Sequence, residues 1–263
     1  MPLTPLPDER LCQIRPGLFI LEKTTGLCLG TDALLLSAFC RGAKDGRAVE
    51  LGCGSGVVSL LLASRGAFRH ITAVDCVPAL YDLTRRNVEK NGFSDIVRPL
   101  LEDVRNLSPA VLGFTADAVF ANPPYFDPTK GRPSPHAERQ SARHETAGNI
   151  FDFAAAASRC LPHGGRFTCV WRPDRMATLF AALAAADLTP KRMAFVAAHP
   201  TAAPCLLLIE AIKGGGEGLI LLPTLFLRES DQQDAPMTID ANIVYEDGVW
   251  PSYDKKGGDP HAG

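Results

Sequence analysis

The sequence predicts an α/β fold built on a parallel, doubly wound sheet. Three observations predict it. Short apolar strand-like runs alternate with helix-like segments from about residue 47 to residue 212. A glycine-rich loop follows the first of these strands. Acids or an Asn-Pro-Pro stop then stand at the ends of the next strands, where open α/β sheets bind ligands.

The elements follow in order. Residues 1–10 carry three prolines and no apolar run, so they read as a loose arm and not as a signal peptide. Residues 11–22 read as a hairpin around the turn signal Arg15-Pro16-Gly17. Thr31 or Asp32 is expected to cap a short helix over 33–40. Strands are expected at 47–51, 70–75, 96–100 and 116–121. Helices are expected over 57–64 and from Pro78 to about Asn91, with Pro78 in the first turn and Gly92 just past the end. Pro123 and Pro124 stop the fourth strand, and a polar, Pro-containing loop over 126–147 follows. An Ala-rich helix near 150–160, a strand at 166–171, a helix from Pro173 to about Ala186, and last strands at 191–197 and 205–212 complete the pattern. Residues 255–263 read as a disordered tail.

Composition narrows the function. Lys plus Arg number 27 and Asp plus Glu 29, a net charge of −2. A protein that coats nucleic acid is far more basic, so any RNA contact here needs a local patch. Eight cysteines form no CxxC pair and no zinc-finger spacing, and most lie in apolar runs. They read as reduced core thiols, with no metal site. The apolar run at 219–227 is broken by Pro223 and too short to span a bilayer. A cytoplasmic, membrane-free protein is the expectation.

The glycine loop is Glu50-Leu51-Gly52-Cys53-Gly54-Ser55-Gly56. Its glycines let the backbone approach a ligand and turn sharply into a helix. The spacing departs from the G-x-G-x-x-G of dinucleotide sites, and an acid precedes it. An acid there disfavours a pyrophosphate and favours an amine-bearing ligand, which fits the methionyl part of S-adenosylmethionine. Asp75 ends the second strand, where a carboxylate can accept both hydroxyls of a ribose. Asp103 follows the third strand and can receive an adenine amino group, although a surface cap or a solvent-facing turn also accounts for either acid.

The fourth strand delivers Asn122-Pro123-Pro124-Tyr125. Two prolines fix the chain and remove two backbone donors, so nearby carbonyls point out without competing N–H groups. An amide or ring-conjugated NH2 group is a poor nucleophile because its lone pair is delocalised. It becomes reactive when acceptors hold its two hydrogens in a pyramidal geometry. The Asn122 side-chain oxygen and the Pro123 carbonyl can be those acceptors, and Tyr125 can stack on the planar group. Asn-Pro-Pro also describes a rigid turn after a strand.

The glycine loop with Asn122-Pro123-Pro124-Tyr125 resembles the class I methyltransferases that modify exocyclic or amide nitrogens. More narrowly, the chain resembles the bacterial tRNA adenine-N6 methyltransferases that act on a valine tRNA beside the anticodon. Four further stretches carry this: Leu29-Gly30-Thr31-Asp32-Ala33-Leu34-Leu35-Leu36, Ala142-Arg143-His144-Glu145, Trp171-Arg172-Pro173-Asp174-Arg175 and Leu222-Pro223-Thr224-Leu225. The resemblance covers roughly residues 10–245. It implies a Rossmann-like, seven-stranded, mostly parallel sheet with an antiparallel last strand and helices on both faces. With no internal repeat and no domain linker, the chain reads as one methyltransferase domain over 1–263, with an arm, hairpin and short helix in 1–40, a catalytic core over 41–228 and an extension over 229–263. The resemblance also implies that Gly30, Thr31 and Asp32 help close over the cofactor, whose expected holders are Glu50, Gly52, Gly54, Gly56, Asp75, Asp103 and Asn122. The polar insert at 228–235 and the late Tyr245 depart from the family's C-terminal signature.

The loop after Tyr125 carries Lys130, Arg132, His136, Arg139, Arg143 and His144. Lys130, Arg132, Arg139 and Arg143 can grip tRNA phosphates beside a flipped adenine, while a solvated charged loop is the plainer account. Arg10, Arg15, Lys23, Arg172 and Arg175 are weaker candidates for the same surface. Two other readings stand. One is methylation of a protein glutamine amide, whose enzymes usually carry a helical N-terminal domain in place of this hairpin. The other is a non-catalytic RNA-binding module, which an intact glycine loop and Asn122 disfavour.

Overall fold

A small hairpin and a large mixed sheet make up the β-structure of the computed structural model, which describes residues 5–24, 30–124 and 148–252. Strands β1 (Glu9–Arg15) and β2 (Leu18–Lys23) form the antiparallel hairpin. Then come α1 (Thr31–Phe39), β3 (Ala43–Leu51), α2 (Val57–Ser64), β4 (Phe68–Asp75), α3 (Pro78–Lys90) and β5 (Val97–Leu101). They are followed by α4 (Pro109–Leu112), β6 (Ala118–Ala121), α5 (Ile150–Cys160), β7 (Arg166–Trp171), α6 (Met176–Ala185), β8 (Leu188–Ala197) and β9 (Leu206–Lys213). Two-residue strands β10 (Ile220–Leu221) and β11 (Leu225–Phe226) precede α7 (Ile239–Asn242), which runs into a π-helical turn over Ile243–Asp247.

The large sheet runs β5-β4-β3-β6-β7-β9-β8. The strands from β5 to β7 are parallel neighbours, and β9 is antiparallel to both β7 and β8. This is the seven-stranded order with one antiparallel strand that the resemblance implies. Strands β10 and β11 add to the outer edge of β8 and were not expected from the sequence.

Period-two alternation sorts strand side chains onto two faces. Ala48, Ile71, Ala73, Phe120 and Leu208 pack with the apolar faces of α1 and α2. Val49, Leu51, Val74, Val119 and Ile209 pack with α5 and α6. Burying each Leu, Val or Phe contributes roughly 1.5–3 kcal/mol, so the sheet needs both helical layers. Helix α5 starts where it does because Asn149 and Asp152 form a capping box.

Several expectations are corrected. Thr31 and Asp32 lie in the first turn of α1, and Gly30, with extended backbone, is its N-cap without a side-chain hydrogen bond. Pro173 opens a three-residue 3-10 turn, Pro173–Arg175, ahead of α6. The arm is not loose at its end, because Glu9 is buried against Arg86 and Lys23. The part of the extension up to residue 252 packs onto the core: Trp250 meets Phe39 edge-on with ring centroids 4.9 Å apart. The expected disordered tail at 255–263 lies outside the described residues. Cys40, Cys53, Cys160 and Cys169 are buried thiols, whereas Cys205 is exposed.

Candidate functional site

The parallel strands end together along one edge of the sheet. There Leu51 of β3 stands opposite Val74 of β4 on one side and Ala121 of β6 on the other. The glycine loop that follows Leu51 is therefore flanked by Asp75 and by Asn122. Asp75 pairs in register with Leu101, which brings Asp103 to the same edge. Open α/β sheets bind ligands at this edge. An open groove of about 700 Å³ lies at the opposite edge, between residues 43–46 and 162–166. Its Asp117 is occupied in accepting the Arg47 N–H (2.8 Å), and it gathers none of the expected site residues.

Gly52, Gly54 and Gly56 all adopt left-handed backbone, with φ of 68°, 59° and 77°. At Gly56 a Cβ would come within 2.8 Å of Thr84 Cγ2, so no side chain fits. At Gly54 a Cβ would meet no protein atom within 4 Å, so this face of the loop is open. The loop backbone is held from behind. Gly54 N–H donates to Asp75 Oδ2 (2.9 Å), Thr84 Oγ1 donates to Gly54 O (2.8 Å), and Asn87 Nδ2 donates to Ser55 O (2.9 Å).

The three acids differ in environment. Glu50 is 2% exposed, and its Oε2 accepts the Ser59 N–H (3.0 Å) and the Ser59 hydroxyl. Burial pushes it up to about 8, against the Ser59 hydrogen bonds, and the Asp75 charge adds to the rise. It thus lies beneath the loop. Asp75 is buried too, and burial raises its pKa although its oxygens accept the Gly54 and Val77 N–H groups at 2.9 Å. The Cys76 N–H also bonds this carboxylate, so three backbone donors hold it at the mouth of the loop. Asp103 is more open. It caps the 3-10 turn Val104–Asn106 and pairs with Arg105, whose hydrogen bond holds its carboxyl below the usual range.

Asn122 is partly buried, Pro123 buried and Pro124 partly buried. Gly30, Thr31 and Asp32 form the head of α1. Tyr125, Lys130, Arg132, Arg139 and Arg143, with His136 and His144, lie outside the described residues. The hairpin cations are occupied: Arg10 pairs with Glu22, Lys23 with Asp8 and Glu9, and Arg15 donates to Val244 O (3.2 Å). Arg172 follows β7 and pairs with Asp174, while Arg175 lies over the Trp171 ring at 5.5 Å. Thr84, Asn87 and Ser59 were not expected in the site. The signal for the first two was polar residues three apart on one helical face.

Among the described residues, no group of three or more His, Cys, Asp and Glu could hold a metal ion, and no helix is long and apolar enough to cross a membrane. Known proteins bear on the site as well. A curated protein of Aliivibrio salmonicida named tRNA1(Val) (adenine(37)-N6)-methyltransferase is 32% identical over 45% of this chain and 50% of its own length. One of the same name from Dickeya chrysanthemi is 27% identical over 82% of this chain and 86% of its own. The chain thus spans about half the length of the first curated relatives it matches. A crystal structure of a predicted O-methyltransferase from Agrobacterium tumefaciens aligns with a TM-score of 0.68 at 20% identity, over 85% of this chain and 100% of that one. An M. jannaschii tRNA m1G37 methyltransferase aligns at 0.53 and 14% identity, over 80% of this chain and 58% of that one. These two likenesses concern the fold alone. The family model described as methyltransferase small domain matches residues 16–185, well over half of the sequence, and the chain belongs to that family.

Proposed function

We propose that this chain transfers the methyl group of S-adenosylmethionine to the N6 amine of an adenine in tRNA, beside the anticodon. One observation carries the chemistry. Strand β6 delivers Asn122-Pro123-Pro124 next to the glycine loop, at the ligand-binding edge of the sheet. The curated relatives named as tRNA adenine-N6 methyltransferases support the choice of acceptor.

S-adenosylmethionine supplies a sulfonium methyl that is already activated, so no strong general base is required. In this reading the open face at Gly54 lets the cofactor approach the loop backbone, with Gly52 and Gly56 setting its turn. Glu50 fixes the start of α2 beneath it through Ser59. Asp75 accepts the ribose hydroxyls, Asp103 receives the adenine amine, and Gly30, Thr31 and Asp32 close over the site. The Asn122 side-chain oxygen and the Pro123 carbonyl accept the two hydrogens of the substrate amine, which frees its lone pair. Tyr125 stacks on the base, and Lys130, Arg132, Arg139 and Arg143 hold phosphates. Rate then comes from positioning and aligned dipoles. We read residues 1–263 as one catalytic unit working in the cytoplasm.

The test is incubation with labelled cofactor and either total bacterial RNA or total bacterial protein. The expected result is label in RNA, with N6-methyladenosine identified by nucleoside mass spectrometry. Label in protein alone would move the acceptor to a glutamine amide, and label in neither would sink the enzymatic reading.

A further inference from the structure

The face of α3 that meets the hairpin and the glycine loop is polar. Thr84 and Asn87 on it are fully buried, and Asn91 continues the stripe one turn later. Thr84 holds the carbonyl of Gly54 and fills the space beside Gly56. Asn91 grips the hairpin: its Oδ1 accepts the Phe19 N–H (2.9 Å), and its Nδ2 donates to Phe19 O (2.6 Å). Asn87, between them, does both. Its Oδ1 accepts the Leu21 N–H (2.7 Å), and its Nδ2 donates to Leu21 O (2.9 Å) and to Ser55 O (2.9 Å).

The spacings explain the fit. Two residues along a strand advance about 6.6 Å. Four residues along a helix advance about 6 Å. Amides at Asn87 in α3 and four residues on at its C-cap, Asn91, can therefore stand in for a neighbouring strand along one edge of β2. Of these two amides, only Asn87 also reaches the glycine loop. Ser55, its partner there, sits between Gly54, whose N–H is held by Asp75, and Gly56 at the head of α2. Leu21, its other partner, lies in the strand that leads toward Gly30 and α1.

We propose that Asn87 is a positioning residue that links cofactor binding to the docking of the hairpin. This rests on reading the glycine loop as the S-adenosylmethionine cradle. One buried amide fixes both partners, so ordering the loop around the cofactor tightens β2. By thermodynamic reciprocity, seating β2 strengthens cofactor binding by the same factor. Hairpin and cofactor site then behave as one cooperative unit, although the hairpin does not pair with the large sheet.

The experiment is hydrogen exchange and calorimetry on the full chain with S-adenosylhomocysteine. In the wild type, saturating ligand is expected to raise protection of the Leu21 and Phe19 amides severalfold more than that of Ile209 in β9. Asn87→Asp keeps an acceptor for the Leu21 N–H and loses both donors. It is expected to bind the ligand about tenfold more weakly, the value of one such hydrogen bond, and to lose the Leu21 response. Asn91→Ala removes the two hairpin contacts to Phe19 and a hydrogen bond to the Asn87 carbonyl (2.7 Å) but leaves the Asn87 side-chain bonds to Leu21 and Ser55 in place, so its hairpin should exchange faster while the response to ligand persists. A residue with only a structural role would lower protection generally and leave that response intact, which would overturn the proposal. If Asn87→Asp does not fold, the wild type decides, and a Leu21 gain no larger than that of Ile209 overturns the linkage. A wild type that binds no ligand sinks the cofactor reading and the linkage with it, whereas binding without the response sinks the linkage alone.

Discussion

Glu50 and Ser59 are joined twice: one carboxyl oxygen accepts both the backbone N–H and the hydroxyl of Ser59. The carboxyl ordinarily titrates at 4.5 and here is pushed up to about 8 by burial. Between those values the folded chain keeps a proton that the unfolded chain has lost. Stability contributed by this group is therefore full below about 4.5, falls as pH rises toward about 8, and levels above. Glu50→Gln removes the ionisation and keeps an oxygen for Ser59. Its thermal midpoint should be flatter than the wild type's across that window. Parallel midpoint curves would show that Glu50 ionises normally.

Gly54 and Gly56 should separate binding from stability. An L side chain in left-handed backbone costs roughly 1–2 kcal/mol at either position. Gly56→Ala adds the clash with Thr84, so it should be the more destabilising of the two. Gly54→Ala has room in the protein but fills the open face of the loop. Its cofactor affinity should fall well beyond what its melting temperature shows. Calorimetry beside thermal melts checks this, and equal affinities in Gly54→Ala and wild type would move the cofactor away from that face.

Asp75 serves the loop first. Asp75→Ala leaves the Gly54 and Val77 N–H groups without their acceptor, at a cost of about 1–3 kcal/mol each where water cannot replace it. It should also weaken cofactor binding tenfold or more, since charge-assisted hydrogen bonds to a ribose are lost. A variant that melts earlier yet binds normally would confine Asp75 to a structural role.

Asn122→Ala should abolish methyl transfer and leave cofactor affinity within severalfold, because the proposed partner of its oxygen is the substrate amine. Turnover is read by label transfer to RNA and affinity by calorimetry. Normal turnover would remove Asn122 from the mechanism.

Much of this was legible in the sequence, for physical reasons. Helix α2 begins at Val57 because the last loop glycine is also its cap. Strand β4 ends on Asp75, as its apolar run required. The short pairings of Ile220–Leu221 and Leu225–Phe226 were not legible, because two residues on either side of Pro223 carry no periodicity and only β8 makes them strands. Nor was the role of Asn87. Its partners are backbone atoms 66 and 32 positions away, and a polar helical residue reads as solvated until the fold buries it. The ion pairs of Arg10 and Lys23 were not legible for the same reason, since their acids stand on the facing strand and on the arm.

The two ends of the described chain meet. Arg15 in the hairpin donates to Val244 O, 229 positions later, and Arg65 donates to Gly248 O nearby. A ribosome releases residue 15 long before residue 244. Until residue 244 has been made, the hairpin can be held by α3 and by the core it shares with α1 and α2, and the Arg15 contact must wait. Contacts between such distant residues carry the greatest loop-closure cost and tend to form late. A chain truncated before Val244 would thus keep every strand of the large sheet and yet leave the hairpin fastened from one side.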